Sequence, residues 1–451
     1  MQLEWIGVAA LAAGLGVGCS DDPPARSFPT IDCSVVEATT CLEIAGGDVD
    51  GLQLAANSID NDTAIVLGAG TFRMNESLTF RTAGVSLIGQ GIDVTTLDWA
   101  GSTAQGNGVD VVGDRFLIQD LTVIDTTKDG IRVEVSNGVT FRRIRAAWSH
   151  PALATNGGYG IYPVRSQNVL VEDSRGENAS DAGLYVGQCQ HVIVRNNTAT
   201  GNIAGIEIES TQYADVYGNT AEDNVTGLLV FDFPGNPVFG RDIRIHENVV
   251  RNNNLANFAP GGVSSTIPSG TGTFIMAVRR VEVMNNTYEN NNTSDIGVIG
   301  GLNFQPDIAD WTQNTADVIG DFADLDLPSP SAGTVADYVT ENIVISGNTH
   351  SGSGTMPDPD HELGPLLSAQ YAGTPVDSIL YDTLGETAFD PTNATGNSND
   401  NHICVGGNVN GTFASIALDK QPSPFFRPAA PFAPFDCSQL DGGPIAPVTL
   451  P

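Results

Sequence analysis

Apolar and polar residues alternate along the middle of this chain in short runs that keep recurring. GIRVEVSNGVTFRRI starts at Gly130, GIYPVRSQNVLVEDS at Gly160, GLYVGQCQHVIVRNN at Gly183, GIEIESTQYADVYGN at Gly205 and GLLVFDF at Gly227. The leading glycines stand 30, 23, 22 and 22 residues apart. Each unit is a glycine, an alternating run, a polar turn, a second alternating run and, in most, an asparagine. Fainter copies lie earlier, at Val85 to Gly89 and Phe116 to Asp125, and later, at Phe274 to Thr287 and Asn342 to Thr349. Strict alternation over a few residues marks a half-buried strand. Short strands repeating at a period near 22 residues predict a solenoid. A leucine-rich repeat has a similar period. Here, however, leucine is scarce at fixed positions, and Val, Ile, Asn and Gly suit strands and tight turns instead.

The alternation also predicts a register. Ile131, Val133, Ile161, Leu184, Val186, Ile206, Ile208, Leu228 and Val230 should point inward from the first strand, and Val194, Val216, Ile245, Val283 and Ile345 from the second. Coils spaced by one strand separation, about 4.8 Å, would number roughly nine and form a rod of about 40–45 Å. Asn197, Asn219, Asn248, Asn286 and Asn348 recur at one turn, where stacked amides can hydrogen-bond along the axis. Asp48 to Ile59 carries Leu52, Leu54, Ala55, Ala56 and Ile59, a pattern expected of a short amphipathic helix capping the first coil. Residues 302–340 break the repeat with seven aspartates and no basic residue, and 351–402 are rich in Pro, Gly, Asp and Asn.

The N-terminal pattern differs. Ile6 to Gly18 is uncharged and built of small and apolar residues, too short for a spanning helix but suited to a signal peptide. It ends in Gly16-Val17-Gly18-Cys19, which resembles the lipobox of bacterial lipoproteins, although the leading MQLEW lacks Lys or Arg. The resemblance implies acylation at Cys19. Asp21 to Pro29 reads as an unstructured tether. The expected organisation is therefore a signal at 1–18, tether at 19–30, N-terminal cap at 31–63, β-helix at 64–350 with an acidic insertion at 302–340, and a loop-rich closure at 351–451. The expected location is the outer membrane, cell surface or periplasm, held to the bilayer by the acyl anchor.

With 53 acidic and 19 basic residues the net charge is −34, which excludes nucleic acid as a partner, since that demands basic patches. The same field repels polyanionic glycans unless a cation such as Ca²⁺ bridges them; no cofactor is otherwise implied, and no metal ligands can be named. Export permits disulfides, and proximity pairs Cys33 with Cys41 and Cys404 with Cys437, leaving Cys189 as a buried thiol.

Coils of the form GIxIxxSxxVxVxxN, from about Ala64 to Thr349, resemble those of the pectin-lyase-like superfamily. The whole chain resembles the bacterial parallel β-helix repeat-containing lipoproteins. That resemblance implies an all-β fold, a single-stranded right-handed parallel β-helix, and export. It implies no single activity. The superfamily includes pectate and pectin lyases, polygalacturonases and alginate C5-epimerases, so polysaccharides are the implied ligands. Tyr159-Gly160-Ile161-Tyr162-Pro163-Val164 is similar to the Tyr-Gly-x-Asp-Pro-His motif of the epimerases. The Asp position holds Tyr162 and the His position Val164, so C5-epimerisation is not expected.

In such a coil the outward stripe of the first strand reads Arg132, Tyr162, Tyr185, Glu207, with Glu134 and Glu209 one step along. Asp129, His150, Tyr159, Arg165 and Asp181 fall in the adjoining turns, and the loop from Trp148 to Tyr159 should overhang the stripe. Tyrosine faces stack on sugars, and arginine binds carboxylates bidentately. Tyr162, Tyr185, Arg165, Glu207, Glu209 and Glu134 are thus candidate glycan contacts. β-Elimination would use Arg132 to neutralise a uronate carboxylate and His150 or Tyr159 as base or acid. Hydrolysis would need two carboxylates, and Glu207 and Glu209 would lie about 6.5–7 Å apart on one strand face. Two further readings stay open: a non-catalytic glycan-binding module, and a structural or interaction protein of the envelope, in which the same Arg, Tyr and Glu ladders only stabilise the sheet. Because Glu207 points outward in this register, Glu207→Ala should barely matter to folding. Anchoring is separately testable: Cys19→Ala should abolish metabolic labelling with palmitate, and label retained by that variant would refute the lipobox reading.

Overall fold

Each coil of the chain closes because its strands pair, in parallel, with their equivalents one repeat away. The computed structural model describes residues 30–361, 363–382, 399–417 and 425–451. The signal, Cys19 and nearly all of the tether lie outside the described residues. One sheet has 12 strands and a second has 20, which hold the second and third runs of successive coils. In the smaller sheet Ile131 pairs with Ile161, Ile161 with Leu184, Leu184 with Ile206 and Ile206 with Leu228. In the larger, Val192 pairs with Ala214 and Ala214 with Ile243. Every residue expected to point inward is buried in one continuous core running the length of the coil. The solenoid is thus a parallel β-helix.

Nine rungs of the smaller sheet fall between residues 64 and 350, as expected. All strands of the 12-stranded sheet pair in parallel except the last, Phe425–Phe426, which leaves eleven among the described residues. The two further rungs lie past residue 350, and the larger sheet also begins before residue 64. Thr40–Ile44, inside the segment read as cap, pairs with Thr63–Leu67. Ile379–Asp382, Ile403–Gly406 and Phe413–Ile416 continue the sheets past residue 350. Their sequences are too short and too widely interrupted to show the period.

The asparagine ladder forms as expected and is longer. The Asn219 amide donates to Asn248 Oδ1 at 3.0 Å and to the Val194 carbonyl at 2.9 Å, while its own Oδ1 accepts from the Asn197 amide and backbone. Asn408 extends the row beyond Asn348. A second row, Asn202, Asn224, Asn253 and Asn291, runs along the next corner. The residue before each amide of the first row turns left-handed: Gly218 at φ +64° and Gly347 at +68°, but also Asn196, Glu247 and Asn285. The amide side chain meets the backbone groups that this tight corner exposes to the core.

Both ends are closed. The helix Val49–Ser58 buries Leu52, Ala55 and Ala56 over the first coil, with Asp48 accepting from the Gly51 N–H as N-cap. Leu54, expected on that face, is instead 68% exposed, because it lies on the outer side of the helix. At the other end Phe435 is buried against Phe413 and Tyr381. Cys33–Cys41 and Cys404–Cys437 are disulfides. Cys189 is a free, buried thiol that accepts from the Ser166 N–H and whose pKa burial pushes up to about 12. Among the described residues no helix is long and apolar enough to cross a membrane. Asn219→Ala removes four hydrogen bonds and strands buried backbone groups, so it should lower unfolding stability by about 2–4 kcal/mol in urea melts. The exposed Gln167→Ala should stay within about 0.5 kcal/mol, and equal effects would make the ladder incidental.

Candidate functional site

The outward face of the smaller sheet carries the stripe that alternation placed there. Arg132 pairs with Tyr162, Tyr185 with Glu207, Glu207 with Leu229 and Leu229 with Phe274. Tyr159, at the start of its strand, turns its ring onto the same face. The three tyrosine rings form one cluster: Tyr159 lies 4.5 Å from Tyr185 and 4.7 Å from Tyr162, and Tyr162 meets Tyr185 edge-on at 4.8 Å between centroids. Gly187 makes this possible. A Cβ there would stand 2.2 Å from the Tyr185 hydroxyl, so the ring lies along its own strand across the glycine, and its hydroxyl reaches Glu209.

From Tyr185 onward the stripe is not solvated. Val263, Ile267, Trp311 and Ala336 pack over Tyr185, Leu229, Phe231 and Phe274 as a second apolar cluster outside the coil. Those covering residues come from the excursions after Arg251 and after Ile299. Glu207, expected to be an exposed outward residue that could be lost without effect, is only 3% exposed. Its direction was correctly expected; its burial was not, since the covering segments carry no repeat signal.

Three carboxyl groups are held in this desolvated setting. Asp181 accepts from the Ser264 and Tyr159 hydroxyls, yet its Oδ1 has no partner, and burial raises its pKa to about 6. Glu209 accepts from the Asn236 amide at 2.5 Å and from the Tyr185 hydroxyl; burial raises it to about 7. Glu207 has a buried Oε2 without any partner and is raised well above the usual range, by burial first and by Asp181 and Glu209 next. Burial also raises the tyrosines, Tyr162 to about 12, with the neighbouring carboxylates adding to the shift. Asp129, buried and raised for the same reason, accepts from the Tyr159 N–H at 3.3 Å.

The basic candidates form a separate ladder at the edge of the cluster. Arg132 donates to Asp110 at 2.8 Å and lies 3.3 Å from Glu134, and Arg165 reaches Glu134 at 3.6 Å. Both guanidiniums are thereby engaged by carboxylates. His150 is exposed in the loop before Tyr159, where its backbone carbonyl accepts from Asn156, and among the described residues no hydrogen bond joins its ring to the tyrosines. Val164, at the motif's His position, is buried alkyl surface. Sequence reasoning placed Asp181 only in a turn and missed Ser264, Asn236 and Gly187. The first two sit on non-repeating loops; Gly187 was legible only as a break in the apolar alternation.

For a metal, the one trio of suitable ligand atoms within 4.8 Å among the described residues is His402, Cys404 and Cys437, and the disulfide takes both thiolates. The three carboxyls at the tyrosines do not converge that closely.

Comparison with known proteins places the coil in a class. The chain belongs to the right-handed β-helix region family, which matches residues 83–239 and 152–310, together half of its length. Among solved structures it is similar to the A-module of a mannuronan C-5 epimerase from Azotobacter vinelandii, at 15% identity over 81% of this chain and 91% of that one, with a TM-score of 0.45. It is similar also to an alginate lyase from a Paenibacillus species, at 15% identity over 82% and 95% of the two chains, with a TM-score of 0.41. No curated protein sequence matches it.

Raised carboxyl pKa values set the sign of a pH effect. A group whose folded pKa lies above its unfolded value favours the folded state in its protonated form. That stabilisation is present below about pH 4 and is lost as pH rises through about 6 for Asp181 and about 7 for Glu209. The melting temperature should therefore fall between about pH 4 and 7, by the equivalent of about 1.4 kcal/mol per pH unit for each group titrating. In the triple variant Asp181→Asn, Glu207→Gln, Glu209→Gln the fall should flatten. A profile unchanged by those substitutions would show that the groups are ionised in the free protein.

Proposed function

We propose that this is an exported, envelope-anchored β-helix that binds a polysaccharide along the tyrosine stripe and cleaves it by acid–base hydrolysis. The observation that carries the reading is the packing of three tyrosine rings against three buried carboxyl groups on one face of the coil. Aromatic faces favour sugar rings. Carboxyls whose surroundings push their pKa values apart supply an acid and a base at one pH. Burial raises both Glu209 and Asp181, Glu209 the further, so the acid role falls to Glu209 and the base role to Asp181. Glu209 then donates to the glycosidic oxygen, and Asp181 activates water or attacks the anomeric carbon. Tyr159, Tyr162 and Tyr185 hold the sugar, and the covering segments exclude bulk water.

β-Elimination draws less support. It needs a cation to neutralise the uronate carboxylate, and Arg132 and Arg165 are already bound to Asp110 and Glu134. His150 stands exposed, away from the ring cluster. A panel of neutral, acidic and amino polysaccharides decides between the reactions. New reducing ends without the ultraviolet absorbance of unsaturated uronates are expected, with a rate maximum between about pH 6 and 7. Glu209→Gln should cut turnover by roughly 10²–10⁴-fold while binding survives. Unsaturated products would overturn hydrolysis in favour of elimination, and binding without any product would leave a non-catalytic glycan-binding module.

A further inference from the structure

The hydrogen-bond accounting at the site leaves two buried carboxyl oxygens without a donor, Asp181 Oδ1 and Glu207 Oε2. Asp181 has the Ser264 and Tyr159 hydroxyls, and Glu209 has the Asn236 amide and the Tyr185 hydroxyl. Glu207, on the strand between them, is 3% exposed and its Oε2 has no donor at all. A buried acceptor left empty costs free energy that a fold normally avoids, and an isolated buried carboxylate costs far more. No arginine or lysine is hydrogen-bonded to any of the three carboxyls among the described residues, and the nearest basic ladder is tied to Asp110 and Glu134. Around the site the chain as a whole carries a charge of −34. The acid–base pair of the proposed hydrolysis does not use Glu207.

We propose that the missing donor is supplied by the ligand: the site takes a glycan of protonated amino sugars, whose ammonium group hydrogen-bonds to Glu207 beside the tyrosine rings. This rests on the glycan reading of the same stripe and names its substrate class. An ammonium brings the three donors and the positive charge that a hydroxyl cannot, and its attraction to a tyrosine face adds a cation–π contribution. The field of an acidic protein raises the local concentration of a cationic polymer and lowers that of a polyuronate. N-acetylation of the sugar removes the charge and adds bulk in the same place, so it should be selected against. A carboxylate on the sugar would meet three acids and, among the described residues, no arginine or lysine bonded to them.

Proton uptake and release give a readout that needs no variant. Because the free site holds protons on groups whose pKa values are raised, seating an ammonium beside them should expel protons. Titration calorimetry of the wild-type protein at about pH 5, where the sugar amines are already fully protonated, in buffers of different ionisation enthalpy, should show net proton release with a glucosamine hexamer. The same hexamer should bind at least about tenfold more tightly than its N-acetylated counterpart, and a galacturonate hexamer should not compete. Glu207→Gln should bring the affinities for the two hexamers to within about twofold of each other; if that variant does not fold, the wild-type proton count decides alone. Equal affinity for the two hexamers, or no proton release, would overturn the amino-sugar assignment and leave the glycan site standing. Tightest binding of the galacturonate hexamer, or no binding of any of the three, would overturn both.

Discussion

The register of one coil upon the next is the constraint on which everything else in this molecule depends. In a parallel ladder each residue lies beside its equivalent in the neighbouring repeat, so a choice made at one position is amplified along the axis. Apolar residues become columns, such as Ile131, Ile161, Leu184, Ile206 and Leu228. Asparagines become hydrogen-bonded rows that satisfy the corners. A slip of one residue would turn every inward side chain outward and every amide away from its acceptor, so the alternatives are excluded together. The 12-stranded face is therefore a rigid surface on which outward side chains hold fixed positions.

That rigidity explains how the chain tolerates three buried carboxyl groups. Carboxyls brought close in a flexible segment would move apart or into water. On a laddered strand Glu207 and Glu209 are fixed on one face, with Asp181 at the turn of the preceding coil. They respond by holding protons, or by meeting a cation, since they cannot leave. Gly187 shows the same economy of shape: its missing side chain lets the Tyr185 ring lie along the strand and reach Glu209. Stability and site are thus opposed locally and reconciled by the length of the coil on either side.

Chemistry enters where the repeat is interrupted. Ser264 and Asn236 lie on excursions between strands, and Val263, Ile267 and Trp311 bring a second apolar cluster down over the stripe. Without them the outward face would be an ordinary solvated ladder of Arg, Tyr and Glu, as the Arg132–Glu134–Arg165 portion is. The acidic insertion is itself docked on the larger sheet, where Gln212 accepts from the Asp321 N–H and Arg241 meets Asp324.

By itself the sequence determined what depends on near neighbours and on repetition. The strands, the inward columns, the Asn197-to-Asn348 row, the capping helix and both disulfides follow from alternation, period and proximity, because each coil contacts only the coils beside it. The outward stripe was legible for the same reason, down to Tyr162, Tyr185, Glu207 and Glu209 as neighbours. What tertiary structure decided was environment. Whether Glu207 is solvated or buried depends on loops more than fifty residues further along the chain, whose course no period encodes, and burial sets the protonation of the three carboxyls. The same folding bound Arg132 and Arg165 to acidic partners and left His150 outside. The cover over Glu207 is long-range and non-repeating, so it is settled only when the covering segments close over the coil, whereas Arg132 meets Asp110 within the ladder register of the adjacent coil.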